Sequence, residues 1–535
     1  MPQSTIVRPT DPTLRSAIRL AALFAAVKLA VHIITTAWVT HLGYEIFRDE
    51  FYYIACGRHL AWGYVDHGPI VALQARMATT LFGHSIVGLR LFSALAGAAR
   101  VFLTGLLAWS LNGRRPAQSL AMLAVLCVPA YLGGDSYLSM NSFESLFWMT
   151  CLLAVILIQR RTASGLPTRN LWLLFGVSAG IGLLNKPSMT FFLLALLGAL
   201  LLTPQRKLLF TRWTAAAVAL LLLIVLPNLL WQIHNHWPTL EFLHNGQVEN
   251  KNVKLSPLAF TVQQFMSMQP LTALIWVAGL VSLLRDKARE HKRWLGLTFI
   301  LFFFGMMALH AKDYYIAPIY PILFAAGGIA WERTFGHRRR VQNNSAFAFP
   351  VAYATLILFT LFILPLAIPV LAPQQWIAYT KATHLYNASA STENQEQGAL
   401  PQFFADRFGW QQETSELLRI YNSLSPADQK VAAIKTSNYG EAAAPLFLAP
   451  PGSLPPIISG HNNFYLWGPQ GATGDVLILV EQTTREHLLE YYEEVQIAGY
   501  MNHPLAMPYE HRPIFLCRHR KFNLQSTWPE MKKYI

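Results

Sequence analysis

Long apolar runs recur through the first two thirds of this chain, separated by short connections that are basic at every second turn. A helix that spans a membrane needs about 20 mostly apolar residues. Residues 18–40 form the first such run, and further runs follow at 85–111, 117–131, 143–158, 171–184, 190–202, 213–231, 258–284, 294–309, 316–331 and 347–371. The pattern predicts a mostly α polytopic membrane protein with about 11 transmembrane helices. Composition agrees: 13% of residues are charged and 53% hydrophobic, whereas soluble domains carry about 25% charged residues.

The net charge of +14 raises the question of nucleic acid, and its distribution answers it. Lys and Arg gather in short loops, the positive-inside pattern of membrane proteins, not a nucleic-acid patch. Arg8 and Arg15 before the first run, with Arg19 at its head, place the N-terminus in the cytoplasm. Arg114-Arg115, Arg160-Arg161, Arg206-Lys207, the stretch 285–293 and Arg338-Arg339-Arg340 all fall on that side if the crossings number as above. Asp49, Asp135, Lys186, His234, Lys312 and the C-terminal region then share the outer side.

Residues 1–371 read as the transmembrane domain, with the first outer loop at 42–84. Two amphipathic stretches in that loop, 50–60 and 70–82, have the pattern of helices lying in the interface plane. Residues 372–535 are polar, contain strand-like stretches such as 475–480 and helical ones such as 410–424, and predict an extracytoplasmic soluble α/β domain. The localisation that follows is the cell inner (cytoplasmic) membrane.

Charged residues at membrane depth are rare and commonly line a cavity or substrate path. Arg48-Asp49-Glu50 stands where the first span ends, and reads either as a reaction centre or as a helix-end pair salt-bridged to Arg48. Adjacent residues do not face the same way on a helix, so only one of the two carboxylates points into a pocket. Further on, Asn141 and Glu144 share a face of a helix beginning near Met140; this is a pocket motif, a capping motif, or both. Lys186 is an isolated outer lysine for which a phosphate is an attractive partner. Lys312-Asp313-Tyr314-Tyr315 forms a short outer turn dense in donors and aromatics. His234, His236 and His244 lack a carboxylate or cysteine to complete a ligand set, so no metal is expected.

No Walker or dinucleotide glycine motif is present, so no nucleotide cofactor is expected. Outward-facing chemistry without a nucleotide needs a donor that stays in the bilayer, and a polyprenyl-phosphate sugar meets that need. Asp49-Glu50 in a first outer loop, Asn141-x-x-Glu144 at the head of a later span, Lys186, and Lys312-Asp313-Tyr314-Tyr315 with Tyr320-Pro321 together resemble the glycosyltransferase family 39 group. Its relatives include protein O-mannosyltransferases and lipid A aminoarabinose transferases, which share the GT-C membrane fold. The resemblance covers roughly residues 15–335. The tail segments Asp406-Arg407-Phe408-Gly409-Trp410, Ser437-Asn438-Tyr439-Gly440-Glu441 and Ser459-Gly460-His461-Asn462-Asn463 look like those of bacterial members.

The resemblance implies an inverting glycosyltransferase with no cofactor beyond its polyprenyl-phosphate sugar donor. Asp49 is then the general base, with Glu50 and Glu144 as catalytic partners. Glu144 stands where relatives often carry aspartate. Arg48, Lys186, Lys312, Tyr314 and Tyr315 are expected at the donor phosphate, and His67, Asp135, Asn141 and Asp313 in the substrate pocket. The expected partners are membrane lipid, the donor, and an acceptor protein, lipid or glycan. The alternative is a multi-span transporter of a lipid-linked or small anionic substrate. Transporters concentrate charge mid-span and often show inverted halves; here the polar clusters gather on one face and no repeat is visible.

Overall fold

The computed structural model describes residues 13–249, 251, 253–336, 347–385 and 394–535. Arg8 and Arg338 to Arg340 lie outside the described residues. The chain forms two compact units that interleave in sequence. The first comprises Met1–Ala37, Arg90–Pro227 and Lys254–Val370; the second comprises Trp38–Leu89, Asn228–Val253 and Leu371–Ile535.

The first unit is helical. Among the described residues of the chain, six helices are long and apolar enough to cross a membrane: Leu14–Leu42, Ile86–Ser110, Met140–Ala163, Arg212–His234, Asp313–Gly336 and Ala348–Ala367. The bent pair Pro257–Ser267 and Pro270–Arg285 makes a seventh if it is one span. By length alone this is fewer than the expected 11, because four of the runs give shorter helices: Arg115–Leu126, Arg169–Asn185, Ser188–Leu201 and Arg293–Ala308. Prolines account for two of the breaks. Val128 is extended before Pro129, which starts a new helix, and Lys186 is extended before Pro187. A proline disfavours helical geometry in the residue before it.

Helices pack in lipid without a hydrophobic drive between them, so close approach depends on small residues. A Cβ at Gly327 would collide with the Ile275 carbonyl, and one at Gly279 with that of Leu323. The helices Ala273–Arg285 and Tyr320–Trp331 therefore meet backbone to backbone. Gly328 does the same against Ala117 on a third helix. By contrast, the best window of Arg212–His234 is only 6% buried, and Leu222 and Leu223 point outward, as suits a lipid-facing helix.

The second unit is α/β. Its sheet has five strands: β1 Ala432–Thr436, β2 Ile457–Ser459, β3 Val476–Val480, β4 Tyr492–Met501 and β5 Arg512–Arg520. Their order is β2-β1-β3-β5-β4. β1 runs parallel to β2 and β3, while β5 is antiparallel to β3 and β4. The run Val-Leu-Ile-Leu-Val of β3 is buried at every position, as a strand covered on both faces requires. The two stretches expected as loop helices form Arg48–Arg58 and Pro69–Phe82, and the helix expected over 410–424 forms as Trp410–Asn422.

Gly327→Val, which forces a branched side chain into the Ile275 backbone, is expected to cost about 1–3 kcal/mol. Gly246→Ala, where a Cβ meets nothing within 4 Å, is the control. Thermal melting of the detergent-extracted protein reads the difference.

Candidate functional site

The first unit holds a buried lysine in a cage of polar groups. Ser139 caps the helix Met140–Ala163 by accepting from the Asn141 backbone N–H at 3.1 Å. This places Asn141 and Glu144 on one face, and both accept from Lys186 Nζ, at 2.8 and 3.0 Å. Lys186 reaches them because Pro187 holds it extended between two helices. Its neighbour Asn185 donates to the Met140 carbonyl at 2.9 Å, tying the two segments together. Ser188 donates to the other Glu144 oxygen. The ammonium also lies 4.2 Å from the centre of the Tyr315 ring and 5.6 Å from that of Tyr314, a cation–π geometry. Five residues named from the sequence thus come together, with Asn141, Glu144, Tyr314 and Tyr315 each contacting the Lys186 ammonium. Lys312 precedes the turn Asp313–Ile319 that carries the tyrosines.

Asp135 and Asp313 are elsewhere. Asp135 was expected in a substrate pocket but is completely buried in an ion cluster, 3.1 Å from Lys28 Nζ and 2.9 Å from Arg100 Nη1. Arg100 also donates to the Ser142 carbonyl at 2.9 Å. It therefore pins both ends of the loop leading into the helix that bears Asn141 and Glu144. Gly97 makes the arrangement possible, since the Asp135 carboxylate occupies the space a Cβ would need. Asp313 is buried too, accepting from the Ser267 hydroxyl at 3.0 Å.

The second unit holds Asp49. Its helix starts with Glu50 Oε2 accepting from the Phe47 N–H at 3.0 Å, so the Glu50 carboxylate acts as an N-terminal cap and is fully buried. Asp49, one position earlier, keeps 29% of its side chain exposed. It accepts from the Tyr439 hydroxyl at 2.8 Å. Tyr439 stacks on Tyr52 at 4.5 Å, and Tyr52 donates to Asp66 at 2.8 Å. Two carboxylates are thus each held by a phenol, and the two phenols by each other. His67, expected in the pocket, is buried; it packs against Tyr64 and donates through Nδ1 to the Gly68 carbonyl at 2.8 Å. Burial lowers its pKa, which favours the neutral ring.

Arg48 was expected at a donor phosphate. Its guanidinium is instead engaged within the second unit: it donates to Tyr509 and lies 3.5 Å from Asp406 and 3.6 Å from Asp49. Gly440 lets it pass, because a Cβ there would strike the Arg48 side chain. Burial raises the Asp406 carboxyl to about 7, outweighing the opposing pull of Arg48, with Asp49 and Glu510 adding to the rise. Close by, Arg512 pairs with Glu441 at 2.9 Å. Burial and the neighbouring carboxylate Glu441 push Glu510 and the fully buried Glu413 upward as well.

Tyr52, Asp66, Asp406, Tyr439 and Tyr509 were not picked out as site residues. Asp406 and Tyr439 belong to tail segments whose pattern was visible, and the capping box Asn438-x-x-Glu441 that positions Tyr439 is a readable signal. Among the described residues, no group of three or more His, Cys, Asp or Glu is arranged to hold a metal ion.

The family described as Dolichyl-phosphate-mannose-protein mannosyltransferase matches residues 66–231, a stretch containing Asn141, Glu144 and Lys186. The crystal structure of ArnT from Cupriavidus metallidurans bound to undecaprenyl phosphate aligns with a TM-score of 0.58 at 16% identity, covering 92% of this chain and 97% of that one. The apo form of the same protein aligns with a TM-score of 0.57 at 15% identity and the same coverage. No curated protein matches the sequence. The chain has the fold of ArnT, the GT-C type that the resemblance implied.

Between its ordinary 3.8 and about 7, Asp406 holds a proton in the folded state that the unfolded chain has released. Its contribution to stability therefore falls as pH rises through that window and is flat above it. Melting of the purified protein from about pH 5 to about pH 8 should show a decline that Asp406→Asn reduces.

Proposed function

We propose that this protein is a membrane glycosyltransferase that moves a sugar from a polyprenyl-phosphate donor to an acceptor hydroxyl at the outer face of the cytoplasmic membrane. The observation that carries the reading is the cage of Lys186, Glu144 and Asn141, in a chain whose fold is that of ArnT, which is known bound to undecaprenyl phosphate. A buried ammonium beside apolar helices is a suitable counter-charge for a phosphate whose lipid tail stays in the bilayer.

The chemistry asks little more of the side chains. Phosphate is already a good leaving group, so no general acid is needed. The acceptor oxygen attacks the anomeric carbon from the face opposite the phosphate. The bond from that carbon to the phosphate oxygen breaks, and the acceptor proton passes to a base. Asp49 is the base in this reading. It is the partly exposed carboxylate of its segment, and the Tyr439 hydroxyl fixes its orientation while leaving the second oxygen to accept. Lys186 offsets the charge growing on the departing phosphate, and Tyr314 and Tyr315 keep the ammonium in place. The acceptor's proton is lost in the transition state, so removing the base lowers turnover more than binding.

The test is transfer of label from a polyprenyl-phosphate sugar in membranes containing the protein. Asp49→Asn keeps the size of the side chain and should reduce transfer by about 10²–10⁴-fold, with Tyr439→Phe showing a smaller loss. Transfer by Asp49→Asn at the wild-type rate would remove Asp49 from the role.

A further inference from the structure

A guanidinium carries its N–H donors in a rigid fork, and each one buried without an acceptor is costly. The Arg48 side chain is only 14% exposed, and its fork is only partly satisfied. Nη1 donates to the Tyr509 hydroxyl. Nε lies 3.6 Å from Asp49 Oδ1 and, among the described residues, has no hydrogen-bond acceptor. On the other side, Asp406 Oδ2 lies 3.5 Å from Nη2 and has no donor among the described residues. The arginine stands between two carboxylates, within ion-pair distance of both and hydrogen-bonded to neither.

Its surroundings hold it on that line. The Arg48 N–H donates to the Asp406 carbonyl at 3.0 Å, so main chain and side chain both tie the two residues. The stem passes Gly440, where a Cβ would strike it. The guanidinium lies 5.5 Å from the centre of the Tyr439 ring and 6.0 Å from that of Tyr509. A movement of about 0.7 Å toward either carboxylate reaches charge-assisted hydrogen-bond length, about 2.9 Å. The same movement lengthens the opposite gap.

The charge on Asp406 sets the direction. Arg48, Asp49, Tyr509 and Glu510 all face it. Arg407, next in the chain, turns its guanidinium to the rings of Phe47 and Phe403, at 5.6 and 4.9 Å from their centres. A neutral Asp406 leaves Asp49 as the stronger attraction for Arg48, whereas an ionised Asp406 competes for it. Asp49 Oδ1 already accepts from Tyr439 at 2.8 Å. An arginine drawn onto Asp49 therefore competes with an incoming hydroxyl for the acceptor sites that remain.

We propose that Asp406 is a positioning residue: when ionised, it draws the Arg48 guanidinium off Asp49 and leaves that carboxylate free to receive the acceptor hydroxyl. The proposal rests on the reading of Asp49 as the base of a glycosyl transfer. Burial holds the Asp406 carboxyl at about 7, so its ionised fraction, and transfer with it, rises with pH through that window.

The test is transfer from a labelled polyprenyl-phosphate sugar at saturating donor, in membranes, from about pH 5.5 to about pH 8.5. Wild-type transfer should rise about tenfold across this range, the scale expected of a sub-ångström displacement at the base. Asp406→Asn should stay near the wild-type acid level throughout, with its KM for donor unchanged. Glu510 is also pushed upward by burial and Glu441, so Glu510→Gln is the control and should keep the rise. Tyr509→Phe removes the 3.0 Å hydrogen bond that favours ionised Asp406 and should move the rise to higher pH. Infrared difference spectra of the purified protein read the titration without substrate: a protonated carboxyl band should disappear through the same window, and be missing from Asp406→Asn. The proposal is overturned if wild type transfers without the rise, if Asp406→Asn keeps it, if Glu510→Gln loses it, or if Tyr509→Phe leaves it in place. It is overturned equally if the carboxyl band is unchanged by Asp406→Asn. No transfer by wild type at any pH would instead reject the glycosyl-transfer reading, and this proposal with it.

Discussion

An ammonium group buried among apolar helices is tolerated only when its hydrogen bonds are made and its charge is matched. Lys186 meets both conditions through Glu144, Asn141 and the Tyr315 ring, and much of the first unit is arranged around that requirement. Pro187 stops one helix so that Lys186 can be extended. Ser139 starts another so that Asn141 and Glu144 share a face. Arg100, itself matched by Asp135, fixes the approach to that helix. Removing one partner of such a pair leaves an uncompensated buried charge and costs about 3–5 kcal/mol, so the cluster is held to one geometry. On the proposed reading, a phosphate there would meet an ammonium whose orientation is already set by its partners, the condition for charge stabilisation without reorganisation.

The second unit solves a similar problem around Arg48. That side chain threads past Gly440 to reach Asp406 and Tyr509, and in doing so connects the helix Arg48–Arg58 to residues near the end of the chain. Asp49 lies beside it with its orientation given by Tyr439. The tail segments are therefore more than a C-terminal addition. Asp406 and Tyr439 supply partners for Arg48 and Asp49, and the buried acids Glu413 and Glu510 surround Arg512 in the same unit.

How much of this was legible in the sequence follows from the range of each interaction. Asn141 and Glu144 are three residues apart, so helical periodicity alone placed them together. Lys186 stood out because it is basic on the side where basic residues are scarce. Glu50 was ambiguous beside Asp49, and its backbone cap settles which of the two is spent on the helix. Tyr439 contacts Asp49 across 390 residues, and no local pattern reports a contact of that range. Asp135 misled for a related reason: a charge at the head of a loop reads as pocket-facing until the matching Arg100 and Lys28, on other helices, are seen. The runs broken at Val128-Pro129 and Lys186-Pro187 have the hydropathy of a membrane helix, and each yields a helix shorter than the length criterion for a span.

In the proposed reaction Lys186 is the counter-charge for a lipid-linked phosphate. Equilibrium binding of a polyprenyl phosphate to the purified protein tests it most directly, comparing wild type with Lys186→Gln after melting confirms that the variant is folded. The expected loss is about 10- to 100-fold, the worth of one charge-assisted hydrogen bond. Unchanged affinity in the folded variant would contradict it.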